Sequence, residues 1–416
     1  MKRTLSLLTA LLTLSSVTLA QAGMVDTYGI GSRATAMGSA VSASPSPVFA
    51  PYHNPAGLSR AEAPALAAGV LTTTPDIEVT DYTVPQICDG ANFSDTTGTL
   101  IIPHLGFAMP VSEKFSAGIA LYAPWGMHVN WDKNPAVNPG AFNNYEAYYQ
   151  RVAITPALAY KINNKLSVGA GVSFGRSETG AEFIHASHKV PFEAKLVDDF
   201  NISYNLGTLY QATDRLSFGL TYRSRTQVDL EGDLKVNGSK KANVSLDYDH
   251  PEQVQGGIAY RLGDQKNLLV EADAIWTRWG INKEQVEILT PDTFGTSPLI
   301  VPRHWENTTK YSLGMEWTIN PTVTLRGGYL WDPTPVPDES LDFIWPDGDK
   351  HTLSLGAGFT VGSFTLDIAA SYANIPGKRH IDGESEALNK SYGERPVSLM
   401  ADGTILNIGT TLTYAF

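Results

Sequence analysis

Residues 404–416 read Thr404-Ile405-Leu406-Asn407-Ile408-Gly409-Thr410-Thr411-Leu412-Thr413-Tyr414-Ala415-Phe416. Leu406, Ile408, Thr410, Leu412, Tyr414 and Phe416 fall on one parity; Asn407, Gly409, Thr411, Thr413 and Ala415 fall on the other. A period of two sets these groups on opposite faces of a β-strand. The pattern repeats upstream. Phe364, Leu366, Ile368, Ala370 and Tyr372 oppose Thr365, Asp367, Ala369 and Ser371. Leu353, Leu355, Ala357, Phe359 and Val361 oppose Ser354, Gly356, Gly358 and Thr360, and Tyr311, Leu313, Met315, Trp317 and Ile319 oppose Lys310, Ser312, Gly314, Glu316 and Thr318.

A soluble sandwich alternates in the same way, so three further features choose between the two architectures. The alternating runs are about 10–13 residues long, which suits a tilted membrane-spanning strand better than an ordinary one. Their polar faces are Gly, Ser and Thr with sparse charge, as in a crowded lumen. Tight turns near Ser112-Glu113, Asn163-Asn164, Thr213-Asp214, Gly263-Asp264, Asn320-Pro321 and Gly362 alternate with long polar loops. Those loops lie near residues 81–98, 126–146, 181–195, 231–242, 282–304, 333–349 and 375–403. Short turns at one end and long loops at the other predict an all-β fold, a transmembrane antiparallel β-barrel of about fourteen strands. The expected strands start near residues 65, 99, 115, 147, 165, 197, 215, 243, 266, 307, 321, 350, 363 and 404.

Composition agrees. Of 416 residues, 17% are charged and the formal net charge is −12, which argues against a polyanion-binding surface. After the first twenty residues no apolar run is long enough for a membrane-spanning helix. A single cysteine, Cys88, excludes a disulfide scaffold. Met1-Lys2-Arg3, the apolar run Thr4–Leu19 and Ala20-Gln21-Ala22 have the form of a signal peptide, so residues 1–22 are expected to be removed on export.

A barrel of this width needs a plug or is a pore. The stretch before the first strand does not alternate. Ser32–Ala43 is small and helix-compatible, and it leads through Pro45, Pro47 and Pro51 to Tyr52-His53-Asn54-Pro55-Ala56-Gly57-Leu58. Residues 23–63 are therefore expected to form an N-terminal hatch in the lumen, and residues 64–416 the barrel.

Gly29-Ile30-Gly31-Ser32-Arg33-Ala34, Gly38-Ser39-Ala40 and Asn54-Pro55-Ala56 follow one another in the N-terminal stretch. With these marks the chain resembles, from Gly23 to Phe416, the FadL/TodX family of outer-membrane long-chain fatty acid and hydrocarbon transporters. The resemblance is carried further by Tyr122-Ala123-Pro124-Trp125-Gly126, Pro156-Ala157-Leu158-Ala159-Tyr160-Lys161-Ile162, Gly169-Ala170-Gly171 and Trp276-Thr277-Arg278-Trp279. The longest stretch is Leu325-Arg326-Gly327-Gly328-Tyr329, continued by Asp332-Pro333-Thr334-Pro335-Val336-Pro337-Asp338 and Pro346-Asp347-Gly348-Asp349. One departure stands out: between Gly38 and Asn54 family members often carry acids, whereas this chain has Ser42, Ser44, Pro45, Ser46 and Pro47.

The resemblance implies passive uptake of hydrophobic compounds, foremost long-chain fatty acids, with aromatic hydrocarbons as the alternative. Capture by loops, binding in the lumen, and hatch-gated or lateral release would follow, in a bacterial outer-membrane protein expected to be a monomer surrounded by lipid. The implied hatch residues are Asn54, Pro55, Ala56 and Gly57. Candidate ligand contacts are Trp125, Met127, Val129, Trp131, Phe142 and Tyr145, an aromatic concentration unusual in a polar connector. Arg151, Lys310 and Arg326 lie on lumen parity as candidates for a carboxylate headgroup, with Glu271, Asp273, Glu316 and Asp367 as competing internal partners. No cofactor, metal, nucleic-acid partner or catalytic residue is expected. Gly29-Ile30-Gly31 follows no strand, and His185 with His188 has no third ligand in view. A general porin and a lipid hydrolase are the other readings, the latter without a visible nucleophile.

Overall fold

The computed structural model describes residues 29–185, 189–295, 297–344, 346–375 and 378–416. The expected signal peptide, residues 1–22, lies outside the described residues. Fourteen strands form the wall: Ala65–Val84 (β1), Leu100–Pro110 (β2), Phe115–Asn130 (β3), Glu146–Lys161 (β4), Leu166–Ile184 (β5), Pro191–Gln211 (β6), Leu216–Arg223 (β7), Gln253–Leu262 (β8), Leu268–Thr277 (β9), Thr308–Thr318 (β10), Val323–Asp332 (β11), Lys350–Val361 (β12), Phe364–Asn374 (β13) and Ser398–Ala415 (β14). Each pairs antiparallel with its neighbours, and β14 returns to β1 through the register Ala65↔Ala415 to Thr80↔Met400. That pairing closes the sheet and leaves no edge.

Alternation along each strand has the outcome that only a membrane allows. On β14, Leu406, Ile408 and Leu412 point outward and are exposed, while Asn407, Gly409 and Thr411 are buried. On β12, Leu353 and Leu355 are 66% and 71% exposed, while Ser354 is buried. An apolar exterior of this extent is stable only against hydrocarbon. Among the described residues no helix is long and apolar enough to cross a membrane.

Short turns close one end. The Asn163 side chain accepts N–H bonds from Lys165 and Leu166, and Asn320 does the same for Thr322 and Val323. Local Asx bonding of this kind favours a turn over continued strand. At the other end several segments expected as loops carry further strand. Cys88–Ser94 pairs with the distal part of β1, so Cys88 does lie in the first long connection.

One of the fourteen positions requires correction. The eighth strand was expected near residue 243, but the wall there is β8, Gln253–Leu262, between β7 and β9. Ser239–His250 instead pairs with Thr226–Val236, which lies on the distal half of β6. Pro251 separates the two segments; it supplies no N–H and marks the break between hairpin and wall.

The long connections fold together over that end. Tyr82, Phe93, Trp131, Phe343 and Tyr392 belong to one buried apolar cluster with residues from most of the other loops. Arg303 and Asp342 form an ion pair at 2.6 Å with both side chains almost fully buried, and Arg303 also donates to Gln285. Removing one partner of a buried pair costs about 3–5 kcal/mol. Arg303→Ala should therefore leave the barrel heat-resistant while making the 282–304 and 333–349 loops sensitive to limited proteolysis. Unchanged cleavage would show that the pair does not hold them.

Candidate functional site

Inside the wall, residues 29–61 pack against the lumen-facing side chains. The segment contains two short helices, Ser32–Ala36 and Ala50–His53, with tight turns between and after them. Close approach depends on glycines of the wall. A Cβ on Gly207 would stand 2.1 Å from Asn54 Oδ1, and one on Gly219 would stand 2.1 Å from the Ser42 carbonyl oxygen.

Polar contacts fix the segment on several sides. Asn54 is fully buried; its amide donates to the carbonyls of Ser42 at 2.8 Å and Thr208 at 3.0 Å, and its Oδ1 accepts from Ala56 N. Pro55 and Ala56 lie over Gly169, and Gly57 fits against Pro45. Asp273 accepts N–H bonds from Val41 and Ser42, and Glu271 accepts from Ala43 N and from the hydroxyl of Ser44. Arg33 reaches Glu316 at 2.7 Å, which also meets Arg326. Ser42 and Ser44 thus face acids supplied by the wall. Burial lowers the His53 imidazole to about 4, so at neutral pH it is uncharged and donates through Nε2 to the Ile30 carbonyl at 2.9 Å.

The three cations named as headgroup candidates are all buried in the lumen, and their partners separate them. Arg326 bridges Glu316 and Asp367, each at 2.7 Å. Lys310 faces Asp332 at 3.5 Å, beside Lys350. Arg151 donates to neutral groups, Asn201 Oδ1 at 2.7 Å and Ser203 Oγ at 3.4 Å. Among the described residues it forms no ion pair. It lines a cavity together with Trp125, Arg223, His250 and Asn205. Two further polar atoms in that lining, His250 Nδ1 and Asn205 Oδ1, are buried without a hydrogen-bond partner.

Arg223 was not among the expected site residues. It shares inward parity with Ser217, Gly219 and Thr221, but it sits at the last position of β7, where alternation gives way to Ser224-Arg225. Its place in the cavity comes from the loop and lumen packing around it.

The six aromatic and aliphatic candidates separate as well. Trp125 lines the arginine cavity and stacks on His250 at 5.1 Å. Trp131 lines a second, partly open groove among the loops, with Ile77, Val79, Phe343, Leu388 and Leu399. Met127 and Val129 are buried within the loop cluster. Phe142 packs edge-on against Tyr392 under the Lys189 ammonium, and Tyr145 donates to Glu182 at 2.6 Å. His185 stacks on Phe192, and His188 lies outside the described residues. No cluster of three metal-ligating side chains occurs among the described residues.

The wall beside the arginine cavity is incompletely laced. β2 and β3 pair only from Leu105↔Leu121 to Pro110↔Ser116, six residue pairs, whereas β2 and β1 share nine and continue to Leu100↔Thr73. Pro103 and Pro124, one on each flank of the unpaired stretch, supply no N–H. Thr96 N donates to the Asn130 carbonyl farther out, so the interruption is bounded at both ends. Leu71, Ile102 and Ala123 pack together along it.

Comparison with known proteins is consistent with this geometry. Residues 11–416 match the profile described as outer membrane protein transport protein (OMPP1/FadL/TodX). The long-chain fatty acid transport protein of Escherichia coli O6:H1 is 22% identical over 401 residues, covering 87% of each chain. The crystal structure of a Pseudomonas aeruginosa FadL homologue superposes with a TM-score of 0.81 at 18% identity, over 95% of this chain and 100% of the other. That of the Ralstonia pickettii toluene transporter TbuX gives 0.70 at 18% identity, over 93% and 98%. With a closed barrel, an apolar exterior and a match across nearly its whole length, this chain belongs to the OMPP1/FadL/TodX family of outer-membrane transport proteins.

Proposed function

We propose that the protein takes up long-chain fatty acids across the outer membrane without an energy source of its own. The observation that carries this reading is Arg151, buried in the lumen, without an ion-pair partner among the described residues, and lining a cavity bordered by Trp125. A buried guanidinium that meets only neutral acceptors remains costly until an anion joins them, and a carboxylate headgroup supplies that anion. The apolar tail then contributes roughly 0.8 kcal/mol per buried CH₂.

The loop groove containing Trp131 is the first capture site in this reading, and the cavity of Arg151 is the second. The interrupted β2–β3 ladder is the exit for an apolar tail, because a missing row of hydrogen bonds is where a wall parts at least cost. The N-terminal segment is the hatch, a two-state element whose equilibrium the ligand biases. The Escherichia coli relative carries the name of a fatty acid transporter, while TbuX carries that of a toluene transporter. Arg151, with no ion-pair partner among the described residues, favours the acid, since a carboxylate holds a guanidinium more strongly than the face of an aromatic ring does.

Mass spectrometry of material co-purifying with the protein tests the substrate class. Fatty acids are the expected species; aromatic hydrocarbons alone would transfer the reading to the second substrate. Replacing Trp131 by Ala should weaken palmitate capture by about tenfold or more, in line with losing a large buried aromatic contact. Trp125→Ala should weaken retention in the inner cavity by a similar factor. Unaltered binding in both variants would move the path away from these residues.

A further inference from the structure

We propose that Arg223 is a positioning residue that transmits the presence of an acid headgroup to the N-terminal segment, so that acids release the segment and neutral lipids of equal length do not. This rests on the reading of the arginine cavity as the acid site.

Arg223 faces two ways. On one side it lines the cavity that also contains Arg151. On the other it holds the end of the Ala50–His53 helix: Nε and Nη2 donate to the Tyr52 carbonyl at 3.2 and 3.1 Å, and Nη2 reaches the His53 carbonyl at 3.2 Å. The Tyr52 ring lies against the same guanidinium, 4.5 Å from its centroid. These carbonyls immediately precede Asn54-Pro55-Ala56.

A second line of bonds leaves the same guanidinium. Arg223 Nη2 donates to Gln255 Oε1 at 3.1 Å, and Gln255 Nε2 donates to Asp273 Oδ2 at 2.9 Å. That carboxylate oxygen receives the N–H groups of Val41 and Ser42, and the Ser42 carbonyl receives the Asn54 amide. Arg223 therefore touches the stretch from Ser42 to Asn54 at both ends, directly at one and through Gln255 and Asp273 at the other. A second cavity, lined by Tyr52, His53, Arg223 and Lys310, shares Tyr52, Arg223 and Gln253 with the first, so the guanidinium borders both.

The guanidinium is a donor only, and its bonds here go to neutral carbonyls and amides. All of its hydrogen-bond partners, Tyr52, His53, Gln253 and Gln255, are uncharged. A carboxylate is a stronger acceptor than a carbonyl, so an acid headgroup in the cavity draws donors away from Tyr52 and His53. An alcohol in the same place does so far less.

The test uses the purified full chain in planar bilayers, with palmitate and 1-hexadecanol as probes, alongside equilibrium binding of each. In the native protein palmitate should raise conductance, and hexadecanol should bind with little effect. Arg223→Gln should abolish that difference, with basal conductance raised because two carbonyls lose their donors. Its palmitate affinity should fall less than in Arg151→Gln. Arg223→Lys, which keeps the charge but not the fork, should restore part of the acid response; a purely structural role would not sort acid from alcohol. An Arg223→Gln protein that keeps the native difference would overturn the coupling. So would native protein that binds both probes and responds to them equally, which would leave the transport reading intact. Native protein binding neither probe would overturn the acid site itself, and the coupling with it.

Discussion

Deleting about residues 24–58 should convert a poorly conducting barrel into a steady pore, with single-channel conductance rising on the order of tenfold or more, because fourteen strands enclose more space than their own side chains fill. The wall facing the segment is lined in part by glycines such as Gly169, Gly207, Gly219 and Gly328, which have no side chains to fill the vacated volume. The same deletion strips Glu271 and Asp273 of the backbone donors at residues 41–44 and Glu316 of Arg33. The opened pore should consequently favour cations. Planar-bilayer recording with a salt gradient reads both quantities. Conductance no greater than that of the full chain would mean that the loop cluster, not the N-terminal segment, closes the passage.

The second large effect is at Arg151. A hydrogen bond to a charged group is worth about 1.5–3 kcal/mol, which converts to about ten- to hundredfold in affinity. Arg151→Gln should lose that factor for palmitate and keep the native affinity for 1-hexadecanol, measured by titration on the purified protein. Equal losses for both probes would mark Arg151 as a support for Asn201 and Ser203 and remove it from ligand binding. No loss for either would move the headgroup elsewhere. Lys310 and Arg326 already face carboxylates of the wall at 3.5 and 2.7 Å, so their replacement should disturb the lumen before it disturbs the ligand.

The barrel was legible because membrane strands write their environment into alternate residues. Leu406, Ile408 and Leu412 are apolar for lipid, and Asn407, Gly409 and Thr411 are small or polar for the lumen; a strand that must serve two solvents has little freedom. Pairing order followed from short turns, which leave consecutive strands no choice but to be neighbours. The eighth strand escaped because Ser239–His250 alternates as well as any wall strand does. Alternation reports two different faces, and a hairpin standing above the wall also has two.

The candidate site was legible only in part. Residue type and parity put Arg151, Lys310 and Arg326 in the lumen, yet nothing local distinguishes them. Which cation has a carboxylate beside it depends on residues 10 to 41 positions away, brought near by the pairing of neighbouring strands. Arg223, at the end of its strand, has no parity signal beyond it. The aromatic loop was conspicuous in composition, but its members divide between two cavities and the packed loop cluster. Only the meeting of several loops decides that division.

By itself, then, the order of residues determined the all-β class, the count of wall strands and the family, because each is written in short-range pattern and in motifs. Tertiary structure alone decided where the ladder between β2 and β3 stops, that Arg151 and Arg223 meet only neutral acceptors among the described residues, and how Asp273 and Gln255 join Arg223 to the N-terminal segment. Those features arise when strands far apart in the chain close into a cylinder. Distances across a lumen have no counterpart along the polypeptide.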